Sequence, residues 1–156
     1  IDMDKLDKTD MNILNKLQKN ARITHKDLAK EMGLSTTPVF ERVKKLERKG
    51  IIKNYVALVD PEKIQKNLIA FVMIKLNRHS KGELINFENS IKRIADVMEC
   101  YHMAGSTDYM MKVAVNDMRD YQKFMTEKFS AVENISQIDT MFVMREVKYD
   151  TAFDLN

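Results

Sequence analysis

The sequence predicts an α+β protein with a small helical domain first and a β-α-β-β-α-β sandwich second. Two observations support this prediction. Before Gly50, three short amphipathic stretches each begin with a residue that caps helices well, which indicates helices. After Asn67, short apolar runs typical of strands alternate with two segments of helical spacing. The expected domains are residues 1–50, a hinge strand and linker over residues 51–66, and residues 67–156.

The first two predicted helices are short and each has an acidic N-terminus. Asp7 is a suitable N-cap, and Asp10 adds negative charge to the first turn, where it favours the helix. Thr24 and Asp27 repeat this arrangement in the second helix, which Gly33 is expected to end. Apolar residues at helical spacing supply the buried sides, namely Ile13, Leu14, Leu17, Leu28 and Met32.

A third helix is predicted within the stretch LSTTPVFERVKKLERKG, with Ser35 as N-cap and Gly50 at its end. The Ser35 hydroxyl is expected to accept a hydrogen bond from the first turn. Val39, Val43 and Leu46 recur at i, i+4 and i+7, so they gather on one buried side. The opposite side is polar at its start and basic toward its end, with Thr37, Glu41, Lys44, Lys45 and Arg48.

A tight turn containing Gly33, between two short amphipathic helices, is typical of a helix-turn-helix. In that motif the recognition helix, here the third, enters the major groove of double-stranded DNA. We expect its first turns to contact base edges and its later cations to contact phosphates. For Arg42, an ion pair with a neighbouring helix and a phosphate contact are equal alternatives. The predicted DNA-binding residues are Thr36, Thr37, Pro38, Glu41, Arg42, Lys44, Lys45 and Arg48.

Charge is distributed unevenly along the chain. Residues 1–60 contain 13 Lys and Arg against 9 Asp and Glu, whereas residues 61–156 contain 13 against 14. The excess of positive charge therefore lies in the part expected to meet DNA. The single cysteine, Cys100, excludes an intramolecular disulfide, and no apolar run has the length of a membrane span. The expected compartment is the cytoplasm, and Met3 is a candidate native start.

The second domain is predicted to be a ferredoxin-like sandwich. Residues 51–59 form an apolar strand that is expected to pair with another chain or to act as a hinge. Beyond it, Ser80 and Asp117 are expected to cap two helices that cover one face of a sheet. The other face would expose apolar residues, so we expect a homodimer through it. Strands are predicted over residues 68–76, 97–104, 108–115 and 135–147.

Four segments carry a resemblance to a known family: LDKTDMNILNKLQKNAR, LAKEMGLSTTPVFERVKKLERKGIIKNY, MAGSTDYMMKV and FVMREVKY. Over essentially its whole length the chain resembles the leucine-responsive regulator and asparagine-regulator (Lrp/AsnC) family, also called feast/famine regulators. This resemblance implies a transcription regulator with a winged or hinge-linked helix-turn-helix, and a C-terminal domain that dimerises. It also implies assembly to tetramers or octamers, and a small effector, usually an amino acid, bound between C-terminal domains.

The resemblance places the effector near a Gly-x-x-Asp loop, here residues 105–108. Backbone N–H groups and the Thr107 hydroxyl suit a carboxylate, and Asp108 suits an ammonium group. The alternative is a β-turn in which Asp108 bonds its own backbone. Ser106 and Ile138 differ from the acidic and hydroxyl residues that are frequent there in the family. The predicted effector-binding residues are Met103, Gly105, Ser106, Thr107, Asp108, Tyr109 and Thr140.

Catalysis, cofactors and a metal site are not expected. His25, His79 and His102 fall on different predicted elements, without a metal or nucleophile motif around them. Cys100 and His102 are not expected to share a metal, and His102 is expected to be buried or at an interface. Two other hypotheses are an architectural DNA-wrapping protein of the same fold without an effector, and an enzyme or RNA-binding module built on the ferredoxin-like half. The second lacks the paired surface aromatics and the catalytic residues that it needs.

Overall fold

Two units make up the computed structural model, which describes residues 6–155. The first contains residues 6–58 and 148–155, and the second contains residues 59–147. The C-terminal segment thus belongs to the first unit, whereas the sequence grouped it with the second domain. Gln18 holds this segment through two hydrogen bonds with the backbone of Phe153, at 2.8 and 3.1 Å. Met3, the candidate native start, lies outside the described residues.

Three helices form the first unit: α1 (Lys8–Lys19), α2 (His25–Glu31) and α3 (Thr36–Arg48). The Asp7 side chain accepts from the backbone N–H of Asp10 at 2.8 Å and so caps α1, as predicted. Thr24 caps α2 by accepting from the N–H of Asp27 at 3.1 Å. The apolar sides of the helices meet in one core of buried residues: Ile13, Leu14, Leu17, Leu28, Ala29, Val39, Val43 and Leu46.

The end of α3 follows the prediction, but its start differs. Gly50 has a φ of 68° and ends α3 in a Schellman motif, because the N–H of Ile51 donates to Leu46 O at 3.0 Å. Ser35 is the N-cap by backbone conformation, but its hydroxyl makes no capping hydrogen bond. The usual donor at the third helical position is missing because Pro38 has no N–H.

The linker after α3 is irregular in this single chain. Residues 53–60 form no strand, contrary to the expectation for residues 51–59. A strand needs a neighbour for its ladder of hydrogen bonds, and no described strand pairs with this segment. Its apolar side chains are exposed, among them Tyr55, Val56, Leu58 and Val59. A short 3₁₀ turn at Glu62–Ile64 follows, within the second unit.

The second unit has the predicted β-α-β-β-α-β order. Its elements are β1 (Leu68–Leu76), α4 (Lys81–Ile91), β2 (Val97–His102), β3 (Tyr109–Val115), α5 (Met118–Lys123) and β4 (Ile135–Phe142). The strands form one antiparallel sheet in the order β2-β3-β1-β4. After α5, the chain continues through a π-helical turn at Phe124–Lys128 and a 3₁₀ turn at Phe129–Ala131.

β4 ends at Phe142, before the predicted end at residue 147. Its partner β1 begins at Leu68, close to this point. Phe142 pairs with Ala70, and the N–H of Val143 makes the last hydrogen bond, to Ile69 O. The two faces of the sheet differ. One packs on the helices through Val72, Ile74, Met111 and Val113, all 0% exposed. The opposite face, called here the open face, carries Ile69, Phe71, Met73, Met110 and Met141.

Candidate DNA-binding and effector-binding sites

The outer side of α3 is formed by residues that the sequence predicted to bind DNA. Buried Val39, Val43 and Leu46, at most 2% exposed, fix this orientation of the helix. All the predicted residues except Arg42 are exposed, namely Thr36, Thr37, Pro38, Glu41, Lys44, Lys45 and Arg48. The structure therefore brings them together on one surface, with hydroxyl groups at the start and cations toward the end.

Arg42 is joined to the N-terminus of α1. Its Nη1 donates to Asp7 Oδ2 at 2.6 Å and to Asp10 Oδ1 at 2.7 Å. Hydrogen bonds to these two carboxylates raise the pKa of Arg42. The pKa of Asp7 is lowered, first by the backbone N–H of Asp10 and then by Arg42. Of the two alternatives for Arg42, the structure shows the ion pair with a neighbouring helix.

Glu47, which the sequence analysis did not single out, offsets the charge of Lys44. Lys44 Nζ lies 3.0 Å from Glu47 Oε2, and the Tyr55 hydroxyl donates to Glu47 Oε1 at 3.0 Å. Burial, and then this hydrogen bond, raise the pKa of Tyr55 to about 12. Lys45 and Arg48, in contrast, have no ion-pair partner within residues 6–155. These two residues are the cations of α3 most available to a phosphate.

Replacing Glu47 with Gln is expected to tighten DNA binding about two- to fivefold, the range of an exposed ion pair. The amide can still accept from Tyr55, but its loss of charge frees Lys44 for a phosphate. Fluorescence anisotropy on a labelled duplex measures the change. Glu83→Gln is the matched control, because Glu83 pairs with Arg78 at 3.3 Å in the second unit. Unchanged affinity in Glu47→Gln would contradict a role for Lys44.

The loop at residues 105–108 is bonded to the end of β1. The Thr107 hydroxyl donates to Ile74 O at 3.0 Å. Asp108 Oδ2 accepts from the N–H of Leu76 at 2.7 Å and lies 3.0 Å from His79 Nε2. Both contacts lower the pKa of Asp108, and the hydrogen bond from the Leu76 N–H is the larger cause. The Asp108 side chain thus bonds a neighbouring strand rather than its own turn, and two predicted ligand groups already hold the loop.

Tyr109 turns away from this loop toward α4. It is buried, and its hydroxyl donates to Glu88 Oε1 at 2.9 Å. Its ring lies 4.5 Å from Phe87 and 4.6 Å from His102, centroid to centroid. Burial raises the pKa of Tyr109, and the hydrogen bond to Glu88 is the next largest cause of this rise. A cavity of about 420 Å³ between α4 and β2 is lined by Glu88, Ile91, Lys92, Val97, Met98, Glu99, Cys100, His102 and Tyr109.

Cys100 and His102 lie on the same side of β2, since they are two residues apart and both line this cavity. His102 is exposed in this chain, so of its two expected settings the buried one is wrong and the interface one stays a prediction. Burial, and then Glu88, raise the pKa of the Cys100 thiol to about 11, so it stays protonated at neutral pH. Among residues 6–155, no group of three His, Cys, Asp or Glu side chains is placed to hold a metal ion.

Thr140 is separate from the rest of the predicted effector site. It pairs with Val72 on β1, and its hydroxyl lies 2.6 Å from the Tyr121 hydroxyl. Ordinary strand spacing puts its backbone about 12 Å from that of Tyr109, two strands away. Met103, by contrast, lies beside the loop and donates its N–H to Asp108 O at 2.8 Å. One chain therefore brings together Met103 and residues 105–108, but not Thr140 or the Tyr109 side chain.

Within residues 6–155, every helix is too short or too polar to cross a lipid bilayer.

Comparison with known proteins identifies both units. Residues 6–53 match a family profile described as winged helix-turn-helix DNA-binding, and residues 69–153 match the Lrp/AsnC ligand binding domain. Leucine-responsive regulatory proteins of Klebsiella pneumoniae and Escherichia coli K12 are 40% identical over 143 residues, covering 92% of this chain and 87% of the relative. Such relatives are regulators, a class whose members are generally not enzymes.

Solved structures of similar fold are also transcription regulators. A transcriptional regulator from Neisseria meningitidis in complex with L-Met has a TM-score of 0.91 at 33% identity, covering 97% of this chain and 98% of that one. An AsnC family regulator from Agrobacterium tumefaciens has a TM-score of 0.91 at 36% identity, covering 96% and 97%. With sequence, fold and helix-turn-helix in agreement, this chain belongs to the Lrp/AsnC family of transcription regulators.

Proposed function

We propose that this chain is a sequence-specific regulator that binds DNA through the outer side of α3 and responds to a free amino acid. Two pairs of exposed residues on α3 carry the DNA-binding part of the proposal. The cations Lys45 and Arg48 have no ion-pair partner within residues 6–155, and Thr36 and Thr37 lie at the start of the helix. The hydroxyl groups suit base edges, and the cations suit phosphates. We propose that it acts in the cytoplasm and has no catalytic activity of its own.

The open face of the sheet supports assembly into a homodimer. Tyr101 and Met141 are 48% and 53% exposed on it, beside the half-buried Phe71, Met73 and Met110. A second copy would cover these apolar side chains and supply a second α3 for a two-fold operator. The exposed linker at residues 53–60 would pair with its equivalent or act as the hinge. Further assembly to tetramers or octamers is the expectation from the family.

The loop at residues 103–108 is the proposed centre of the effector site. Backbone N–H groups near Gly105 and the Ser106 hydroxyl would bind a carboxylate, and Asp108 would accept from an ammonium group. The L-Met found in the Neisseria meningitidis relative supports an amino acid as the ligand here. Because Thr140 lies apart from this loop within one chain, we propose that two copies complete the pocket between their C-terminal domains.

The second candidate function is an architectural DNA-wrapping protein without an effector. One observation favours it. The Thr107 hydroxyl is engaged by Ile74 O, and Asp108 Oδ2 by Leu76 and His79, so the loop has fewer groups left for a ligand.

A thermal-shift screen of the free amino acids separates the two functions. A ligand that binds only the folded state, present at about 100 times its Kd, should raise the melting temperature by roughly 5–10 °C. We expect such a rise with at least one amino acid, and its loss in Asp108→Asn. The control is Asp120→Asn, which makes the same change at an exposed ion pair with Lys123 in α5. No rise with any amino acid would favour the architectural function.

A further inference from the structure

One exposed aromatic ring interrupts the polar outer side of α3. Phe40 is 37% exposed and is not part of the buried core of the first unit. Helical spacing places it in one row with Thr36, one turn earlier, and Lys44, one turn later. Phe40 therefore lies between a residue suited to base edges and a cation suited to phosphate.

The ring is held in place before any ligand arrives. The His25 ring, at the first position of α2, meets it edge-on with 5.1 Å between centroids. Lys44 Nζ lies 5.8 Å from its centroid, within the range of a cation–π contact. Val39, the preceding residue, is 0% exposed and anchors the backbone. A side chain restrained in this way loses little conformational entropy when it forms a new contact.

We propose that Phe40 reads thymine by packing its ring against the 5-methyl group in the major groove. This inference rests on the proposed DNA binding through α3. Phe40 has no hydrogen-bonding group, so it cannot distinguish bases by donors and acceptors. The thymine methyl is the apolar group that a base pair presents in that groove, and Phe is suited to contact it. The specificity of α3 then comes from hydroxyl groups and from one apolar contact.

Deoxyuridine substitution tests the proposal. The wild type first selects its preferred duplex from a random pool, and each thymine is then replaced singly by deoxyuridine, which lacks only the methyl group. We expect wild-type affinity to fall about fourfold at one thymine in each half-site, the effect of losing one buried methyl group. Phe40→Ala should bind the thymine and deoxyuridine duplexes equally at that position. Phe40→Leu should keep part of the difference.

Controls distinguish failure of this inference from failure of DNA binding by α3. Thr37→Ala should retain the deoxyuridine effect, and the melting temperature of Phe40→Ala reports its folding. The salt dependence of Phe40→Ala should stay unchanged, because no charge is lost. If Lys45→Ala with Arg48→Ala leaves affinity intact, DNA binding through α3 is itself wrong. Equal deoxyuridine effects in wild type and Phe40→Ala would overturn the thymine contact alone. Selection that enriches no sequence would overturn both the thymine contact and sequence-specific binding.

Discussion

Replacing Lys45 and Arg48 together with alanine is expected to lower affinity for any DNA duplex by about 100-fold near 0.15 M salt. Both side chains are exposed on α3, and neither has an ion-pair partner within residues 6–155. Each can therefore neutralise a phosphate and release its counterion. If a dimer engages DNA with both copies of α3, the slope of log affinity against log salt should become less steep by about three to four. Anisotropy titrations across a salt series measure both quantities.

The matched control is Lys81→Ala with Arg119→Ala. These two residues are exposed on α4 and α5, so the net charge of the chain changes equally. Affinity should fall far less in this variant, because the long-range field of two surface charges is screened at this salt concentration. An equal loss of affinity in the two double variants would mean that DNA binding depends on net charge and not on the outer side of α3. Melting temperatures should stay close to wild type in both.

Features decided by residues close together in the chain were predictable. The capping of α1 by Asp7 and the glycine stop at Gly50 depend on hydrogen bonds that span a few residues. The order of strands and helices followed from the spacing of apolar residues, which differs between helical and strand segments. Ser35 shows the limit of such signals. Its type predicted a capping hydrogen bond, but Pro38 three residues later lacks the N–H that would donate.

Contacts between distant residues were not predictable in the same way. Arg42 meets Asp7 across 35 positions, and only the packing of α3 on α1 decides between that ion pair and a phosphate contact. The bond between Asp108 and the N–H of Leu76 depends on how the loop folds against β1. The linker has a strand-like sequence, but pairing needs a second strand, and the described part of this chain, residues 6–155, supplies none for it.

The separation of Thr140 from residues 105–108 has the same origin. The family resemblance named these residues as one set, but the register of β4 on β1 places Thr140 opposite Val72. Its hydroxyl then meets Tyr121, which no local pattern indicates. Residue type therefore indicated which groups suit an amino acid, but it was a poor guide to which groups one chain brings together.

Replacing Arg42 with alanine is expected to reduce the free energy of unfolding by about 2 kcal/mol, somewhat less than for a fully buried ion pair because the guanidinium is partly exposed. The cost arises at Asp10, whose side chain is only 8% exposed and would lose its cationic partner. An unpaired carboxylate in that position is poorly solvated. Urea denaturation at pH 7 measures the change. Lys16→Ala, which breaks the more exposed pair with Glu31 at 2.6 Å, should cost less than about 1 kcal/mol.

The pH dependence gives this prediction a second readout. The folded protein lowers the pKa of Asp7 below 3.8, so its contribution is fully present above that pH and is lost as pH falls through the lowered value. Arg42 is one cause of that shift. The Arg42→Ala variant therefore has a smaller pKa shift at Asp7 and loses less stability on acidification. The stability gap between wild type and variant should therefore be constant from pH 7 to about 5 and narrow below pH 3.8. A gap that widens on acidification would contradict the pairing of Arg42 with the carboxylates at the start of α1.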